Sequence, residues 1–429
     1  MSTIIHSARL VSGGTVTPDS WVAFRGDTVT AVGTGDGWRA LAGGDASAEL
    51  GNHVGTHAGA DVGTHAGTHA GTHVGTHTGT HAGADVRAPD VIDARGRWLT
   101  PGFIDIHCHG AGGAAFDDGA AGIATALAVH RTHGTTRSVL SLVTASPADL
   151  ETRLASIAVA ADSDPLILGA HLEGPFLDDA FRGAHDRTLL RAADAAATER
   201  LLLASRGYLR QITLAPELPG GREAIARFVD AGVVVAVGHS AADYESASAA
   251  FDAGASVLTH AFNAMHGIHH RAPGPVVAAM RSGAVTLEII NDGVHVHPEV
   301  VRLAFAGAPG RVALITDAMA ATGFGDGEYR LGTLEVIVTN GVARLAGATA
   351  SVPGAIAGST LTLDAALQRA VNEVGVSMAT AVTALTETPA RAIGRAHDLG
   401  LLAPGYAADA VLLGDDFAVE TVFAAGQRL

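Results

Sequence analysis

The chain has 429 residues but no lysine, a single cysteine and only 4% aromatic residues. All 27 of its basic residues are arginines. The absence of lysine excludes a Schiff-base lysine, a P-loop lysine and a carbamylated lysine bridging two metal ions. The single cysteine, Cys108, excludes an internal disulfide, and we expect it to be a buried thiol.

Positive charge is also scarce, because 43 acidic residues outnumber the 27 arginines and give a formal net charge of −16. Nucleic acids and anionic membranes are bound by basic faces, so we expect neither as a partner. The N-terminus lacks a basic stretch followed by an apolar one, and no run approaches the ~18 uninterrupted apolar residues of a membrane span. We therefore expect a cytoplasmic protein.

After Arg97, short apolar runs alternate with Ala-rich amphipathic segments, and this unit recurs eight times. Strand-length runs that alternate with helix-length segments are typical of parallel βαβ units. Eight such units predict an α/β fold, a (β/α)8 TIM-type barrel. The predicted helices include 120–132, 147–161, 189–205, 222–231, 242–253 and 298–306, with two more at 361–374 and 378–393 after the eighth unit.

Both chain ends are instead rich in short strands. We predict that residues 1–99 and 396–429 form the two parts of a small β-sandwich domain, with the barrel at 100–395. Within the first part, Gly26-Asp27 is expected to be a hairpin turn. Residues 51–85 are near-repeats of GTHA and GTHV, in which each glycine costs about 1 kcal/mol in a helix. We expect this His-rich tract to be a disordered insertion, with weak metal chelation as the alternative.

Reactive groups in such barrels lie at the carboxyl ends of the strands. The residues with metal-ligating side chains at these places are His107, His109, Glu173, His239, His260 and Asp317. Alternate residues of a strand share a face, so His107 and His109 both point inward. Imidazole and carboxylate ligands suit Zn²⁺, Fe²⁺, Co²⁺ or Mn²⁺ better than Ca²⁺. The sequence therefore predicts a divalent metal site, with His171 either supporting it or belonging to the core.

Several short motifs extend over nearly the whole chain outside the His-rich tract. They are PGFIDIHCHG (101–110), HLEGPF (171–176), RGAHD (182–186), LAPE (214–217), GHS (238–240), THAFNAM (259–265), NDGVHV (291–296), TDAM (316–319) and AGSTLT (357–362). In these motifs the chain resembles the N-acetylglucosamine-6-phosphate deacetylases of the amidohydrolase superfamily. The pair H-x-H is common to the superfamily, whereas HLEGP, NAM and DGVH are more specific.

This resemblance implies a metal centre in which Glu173, His239 and His260 are one set of ligands. Some members of the family lack the first histidine of H-x-H and hold one metal ion, whereas this chain retains both His107 and His109. A second ion bridged by Glu173 is therefore expected as an alternative to a single one. Zinc is the preferred metal, with iron, cobalt or manganese as alternatives.

The implied reaction is hydrolysis of the acetamide of N-acetylglucosamine 6-phosphate to glucosamine 6-phosphate and acetate. By resemblance, Asp317 transfers the proton from water to the departing amine, and His185 helps to polarise the acetyl carbonyl. The other residues expected to contact substrate are Ala184, Asn263, Ala264, Arg271, Asp292, His295, Ile356 and Ser359. Arg271 and His295 would hold the phosphate, although Arg271 stands in RAPG where the family usually has REPG. The resemblance also implies a homodimer whose neighbouring subunit completes the phosphate site.

Other functions compete with this interpretation. Another amidohydrolase, such as an N-acetylgalactosamine-6-phosphate deacetylase, a cyclic-amide hydrolase or a deaminase, would use the same barrel ligands. The NAM and DGVH motifs and Arg271 favour a phosphosugar. A non-enzymatic alternative is a metal-buffering protein whose His-rich tract is the functional part, and it predicts that the barrel ligands are dispensable.

Overall fold

A computed structural model describes residues 2–43, 88–347 and 354–429. Its central element is a sheet of eight parallel strands that follow one another in sequence order. Barrel strands 1 to 8 are Phe103–Cys108, Thr135–Val143, Ile167–Glu173, Leu209–Leu214, Val234–Val237, Val257–Leu258, Thr286–Ile290 and Val312–Ile315. The predicted (β/α)8 barrel is confirmed.

The barrel is closed by contacts at the carboxyl ends of strands 8 and 1. The backbone N–H of Asp317 donates to the carbonyl of His107 over 2.8 Å. Beside it, the hydroxyl of Thr316 donates to the buried carboxylate of Asp105 over 2.6 Å. These bonds bring the residues that follow strand 8 next to the H-x-H pair at the end of strand 1.

Helices connect the barrel strands and cover the sheet. The α-helices are Trp38–Ala42, Ala120–Thr132, Pro147–Ser163, Ala195–Ala204, Gly221–Asp230, Tyr244–Asp252, Gly274–Ser282, Pro298–Gly307, Leu363–Arg369, Met378–Leu385 and Glu387–Ala392. Short 3-10 turns occupy Gly35–Gly37, Phe116–Asp118, Asp179–Phe181 and Arg187–Leu189, and a π-helical turn spans Ala370–Val374. Among the described residues, no helix is both long enough and apolar enough to cross a membrane.

Two helix predictions were wrong in their extent. The helix predicted at 189–205 begins only at Ala195, because the side chain of Asp194 accepts the N–H of Ala197 and caps it there. The helix predicted at 378–393 is divided at Thr386, whose backbone is not helical. The helix at 120–132 is confirmed at both ends.

The chain ends meet in a separate β-domain. Its strands are Ser2–Ser12, Thr15–Arg25, Thr28–Thr34, Asp90–Asp93, Trp98–Pro101, Ala410–Leu413, Val419–Ala424 and Gln427–Arg428, which join into one sheet. Ile5, Val22 and Phe24 share its core with Leu412 and Phe423. The turn at residues 26–27 is confirmed, since one strand ends at residue 25 and the next begins at residue 28. The domain limits at 99/100 and 395/396 stay predictions, and the tract 51–85 lies outside the described residues.

A three-stranded antiparallel sheet that the sequence analysis did not predict follows the barrel. Its strands are Gly327–Leu331, Leu334–Thr339 and Val342–Leu345. Two of its side chains, Leu331 and Val336, pack with Ala184 and Met319 beside the mouth of the barrel. The dipeptide at residues 340–341 is Asn-Gly, a strong hairpin signal that could have revealed this sheet. A smaller ladder pairs Gly110–Ala111 with Ala114–Ala115.

Candidate metal centre and active site

The six predicted strand-end residues converge at one mouth of the barrel, and all six are buried. They form two groups of possible metal ligands that share Glu173. One group is Glu173, His239 and His260, and the other is His107, His109, Glu173 and Asp317. The structure therefore brings together residues that are separated by up to 210 positions in the sequence, from His107 to Asp317.

Glu173 lies between the two groups, and its Oε1 is near histidines of both. Its Oε1 is 3.0 Å from Nε2 of His239 and 3.1 Å from Nε2 of His260. Its Oε2 is 3.1 Å from Nε2 of His109, and that nitrogen is 3.3 Å from Oδ1 of Asp317. Nε2 of His107 completes the second group at 3.5 Å from Glu173 Oε1 and 3.6 Å from Asp317 Oδ1.

This set of side chains fits a divalent metal ion. Imidazole nitrogens and carboxylate oxygens are the ligands that zinc and its transition-metal neighbours take in proteins. Nε2 of His239 and Nε2 of His260 lie only 2.9 Å apart and face the same carboxylate oxygen. These buried nitrogens and oxygens offer more lone pairs than they have protons to share in hydrogen bonds. A bound cation would accept those lone pairs.

The electrostatics of the site reflect its three buried carboxylates. Burial alone would lower the pKa of His107, but the charges of Glu173, Glu288 and Asp317 outweigh it and hold that pKa well above its ordinary value. Burial would likewise raise the pKa of Glu173, yet the surrounding histidines, His107 first, hold it well below its usual range. The site therefore favours positive charge beside Glu173.

Three of these residues have left-handed backbone conformations where their strands end. The φ angles are +48° at His239, +26° at His260 and +49° at Asp317. Such a φ costs a non-glycine residue about 1–3 kcal/mol and is typical of functional sites, where surrounding structure holds it. The sharp turn directs each side chain into the barrel mouth instead of along the strand.

A polar layer lies beneath the ligand groups and orients them. Nδ1 of His107 is 3.0 Å from Oε2 of Glu288, and Gln211 donates to the other oxygen of Glu288 over 2.8 Å. His171 belongs to the same layer, between the hydroxyls of Ser141 and Thr213 at 2.9 and 2.8 Å. His171 is in neither ligand group, and its ring packs on His107 with centroids 4.6 Å apart. It supports the centre from below.

The sequence analysis missed Glu288, although a signal was present. Glu288 is an isolated charge in the otherwise apolar segment of barrel strand 7, and it is fully buried. A buried carboxylate needs partners, so a lone glutamate in such a strand is itself an indication of a polar site.

Above the ligand groups opens a pocket of about 340 Å³. Of the residues predicted to act on substrate, those in its wall are Ala184, His185, Asn263, Ala264, His295, Ile356 and Asp317. Gly358, within the loop 356–359 predicted to contact the sugar, also lines the pocket, as do Phe181 and Leu331, which were not predicted. A larger hollow of about 800 Å³ lies beside the three-stranded sheet, but none of the predicted ligands lines it. The chemistry of the smaller pocket marks it as the candidate active site.

Three predicted substrate residues lie elsewhere. Arg271 is exposed on a loop outside the pocket wall, where its Nη1 is 2.6 Å from Nε2 of His270. Ser359 is buried, and its hydroxyl donates to the carbonyl of Thr316 over 2.6 Å. Asp292 stands behind His295, with Oδ2 2.7 Å from Nδ1 of that ring. Their predicted roles are untested by these positions.

Cys108 points away from the ligand groups, as predicted. Its sulfur is buried, 3.1 Å from Nε2 of His130. Burial raises the pKa of the Cys108 thiol well above its ordinary value. The thiol is therefore protonated at neutral pH and is not a nucleophile of the pocket.

The sequence pattern of the amidohydrolase family matches residues 98–429, which include every ligand described above. The chain belongs to the amidohydrolase family. Members of this family generally depend on a metal ion, in agreement with the two ligand groups of this amidohydrolase. The predicted resemblance is confirmed at the level of the family.

Within the amidohydrolase family, the chain is similar to deacetylases of N-acetylated sugar phosphates. The amidohydrolase is 40% identical to the N-acetylgalactosamine-6-phosphate deacetylase of Escherichia coli O157:H7 over 267 residues, which cover 60% of this chain and 71% of the relative. It is 38% identical to the N-acetylglucosamine-6-phosphate deacetylase of Homo sapiens over 279 residues, 62% of this chain and 68% of the relative.

A solved structure extends the likeness to the whole fold. It is a mutant N-acetyl-D-glucosamine-6-phosphate deacetylase from Mycobacterium smegmatis in complex with N-acetyl-D-glucosamine-6-phosphate. The sequence identity is 38% and the TM-score 0.82, with 100% of this chain and 99% of that chain covered. These relatives confirm the resemblance to N-acetylglucosamine-6-phosphate deacetylases.

Proposed function

We propose that this amidohydrolase removes the acetyl group from N-acetylglucosamine 6-phosphate, giving glucosamine 6-phosphate and acetate. The observation that carries the proposal is one pocket lined both by residues of the two ligand groups and by His185, Asn263 and His295; the ligand-group residues in its lining are His109, Glu173, His239, His260 and Asp317. The names of the relatives support the phosphosugar as substrate.

The carboxylate of Asp317 is the proton carrier of the proposed reaction. A bound divalent ion lowers the pKa of water and polarises a carbonyl. Asp317 accepts a proton from the water that adds to the acetyl carbon and delivers it to the amide nitrogen as the C–N bond breaks. Its position, 7% exposed at the base of the pocket, keeps this proton away from bulk water.

His185 faces the same space from the wall. Its Nε2 is 3.5 Å from Glu173 Oε2, and its Nδ1 is 2.9 Å from the hydroxyl of Thr144. Burial lowers the pKa of His185 to about 4, so the ring is neutral at pH 7. The Thr144 hydroxyl also lies 3.1 Å from the carbonyl of Glu173, to which it donates in this structure. In the proposed reaction it turns from that carbonyl to donate to Nδ1, which leaves the ring proton on Nε2, directed at the acetyl oxygen where negative charge develops.

Two divalent ions, zinc in preference to iron, cobalt or manganese, are proposed for the centre. The support is the complete second group of ligands, in which His107 and His109 are both present, and the position of Glu173 between the groups. With no lysine in the chain, Glu173 is the candidate for the bridging role.

The phosphate is proposed to bind at His295 within the pocket and at Arg271 from a neighbouring copy of the chain. Arg271 lies on an exposed loop outside its own pocket, which is the arrangement expected of a residue that serves a partner subunit. The proposal therefore includes a homodimer, and a cytoplasmic location suits its phosphorylated substrate.

A panel of N-acetylhexosamines with and without 6-phosphate tests the function. We expect acetate release from the 6-phosphorylated gluco epimer to exceed that from the unphosphorylated sugar and from the galacto epimer. Faster release from N-acetylgalactosamine 6-phosphate would show that the galacto epimer is the substrate. This is the first alternative, because the chain is 40% identical to the E. coli enzyme. Release from none of the phosphosugars would overturn the proposal and favour a cyclic-amide hydrolase or deaminase.

A further inference from the structure

We propose that Glu288 is a positioning residue that prepares His107 to hold the second metal ion of this amidohydrolase. The inference rests on the proposed function, because it concerns the second of the two proposed ions. Glu288 lies in the middle of barrel strand 7, Thr286–Ile290, and none of its surface is exposed. It does not line the pocket, and its hydrogen bonds within the described part of the chain go to residues other than the shared ligand Glu173, so it acts through those residues.

Three N–H groups donate to the Glu288 carboxylate. Oε2 is 3.0 Å from Nδ1 of His107 and 3.3 Å from the backbone nitrogen of His260, while Oε1 accepts from Gln211 over 2.8 Å. A carboxylate only accepts hydrogen bonds, so Nδ1 of His107 must carry the proton. A metal ion can therefore displace only the proton on Nε2, the atom that faces Glu173 and Asp317, and the lone pair offered to the ion is on Nε2.

The other histidines of the centre are held differently. Nδ1 of His239 lies 2.9 Å from the carbonyl of Phe181, which is a neutral partner. Nδ1 of His109 and Nδ1 of His260 are buried without a hydrogen-bond partner among the described residues. His107 is thus the one ligand ring in the described part of the chain that is backed by a carboxylate. A carboxylate partner raises the basicity of an imidazole and makes it a stronger metal ligand. Glu288 should therefore increase the affinity for the second ion and leave the affinity for the first unchanged.

The structure offers a variant that removes only the charge. In Glu288→Gln the new amide keeps the volume of the carboxylate and can still accept from His107 and His260. Its NH₂ group would face Gln211, whose Oε1 is buried without a partner among the described residues. Rotation of the Gln211 amide would present that oxygen to the new NH₂ group, so every hydrogen bond is retained.

The experiment titrates metal-free protein with Co²⁺ and follows the absorption of the bound ion together with the metal retained after gel filtration. We expect two equivalents for the wild type. Glu288→Gln should bind the first equivalent with unchanged affinity and the second about 10- to 100-fold more weakly. His107→Gln should lose the second equivalent, and the double variant should behave as His107→Gln does. The exposed Glu199→Gln is the matched control and should bind as the wild type.

Other results would overturn the inference. Glu288→Gln could bind both Co²⁺ equivalents with wild-type affinity, or could bind both equally more weakly. The double variant could bind metal more weakly than His107→Gln does. A wild type that binds one ion would also overturn it, while acetate release by that sample would leave the proposed function standing. If Glu288→Gln does not fold, Gln211→Met takes its place, since it frees Oε1 of Glu288. That variant should weaken the second equivalent alone, and unchanged binding would contradict the proposal.

Discussion

The two ends of the candidate active site are built in different ways. At the metal end, Glu173 is the last residue of a barrel strand and His239 and Asp317 come two residues after theirs; all three are at most 7% exposed and belong to the ligand groups. At the proposed phosphate end, Arg271 is exposed on a loop, and the His295 ring is hydrogen-bonded by Asp292, its one such partner within residues 2–43, 88–347 and 354–429. Topology places the first end, whereas loops and a neighbouring copy would place the second.

This difference teaches which part of a function a single chain determines. Strand ends in a closed barrel have fixed positions, so ligands at those ends converge whatever the connecting loops do. A loop residue is free to serve its own pocket or that of a partner. We therefore expect large losses of bound metal or of kcat from substitutions at the metal end, and smaller changes in KM from substitutions at the phosphate end.

The largest effect is expected at Glu173, which both ligand groups share. Glu173→Gln should lose its bound metal, because neither ligand group is complete without the carboxylate. Its activity should fall by more than the ~10²–10⁴-fold that a proton carrier contributes. Metal analysis and acetate release on one preparation check this. The exposed Glu199→Gln is the control. Retained metal with full activity in Glu173→Gln would remove this cluster from consideration as the active site.

Within the metal end, Asp317 is expected to differ from Glu173, because its loss should affect proton transfer and not metal binding. Asp317→Asn should lower kcat about 10²- to 10⁴-fold while metal content stays near that of the wild type, because Asp317 is assigned to proton transfer. Its oxygen lies 3.3 Å from His109 in the second ligand group, so metal content is the decisive measurement. Loss of one equivalent of metal would show that Asp317 is a required ligand.

The same difference explains which residues of the site could be predicted from the sequence. Histidines and carboxylates at strand ends were predictable, because the period of the strands and the order of the barrel fix where they meet. Glu288 was missed because its partners, His107 and Gln211, are 181 and 77 positions away. The substrate role of Ser359 stays a prediction, whereas the hydrogen bond from its hydroxyl to the carbonyl of Thr316 was not predictable, because only the folded chain brings the two residues together.

Arg271 tests the phosphate end. Arg271→Ala should raise KM for the phosphorylated substrate about 10- to 100-fold, which corresponds to the ~1.5–3 kcal/mol of a charged hydrogen bond. KM for the unphosphorylated sugar should barely change, and Arg281→Ala, an exposed arginine on the following helix, is the matched control. Equal effects on both sugars would make Arg271 a structural residue and would break the contrast drawn between the two ends.

The smallest expected effect is a pH dependence at His295. Burial would lower the pKa of His295, but the hydrogen bond and charge of Asp292 outweigh it, aided by Asp317 and opposed by Arg344, so the pKa is raised above 6.5. The imidazolium is then fully present below about pH 6.5 and is lost as the pH rises through the raised pKa.

KM for the phosphorylated sugar should accordingly rise about two- to fivefold over that range, the size of a partly exposed ion pair. His295→Gln should abolish this rise while leaving the metal content unchanged, because the ring lies in the pocket wall outside both ligand groups. KM measured against pH for both sugars, in wild type and variant, separates titration of His295 from that of the phosphate itself. A variant that keeps the full rise would place phosphate recognition wholly on Arg271 and the neighbouring copy.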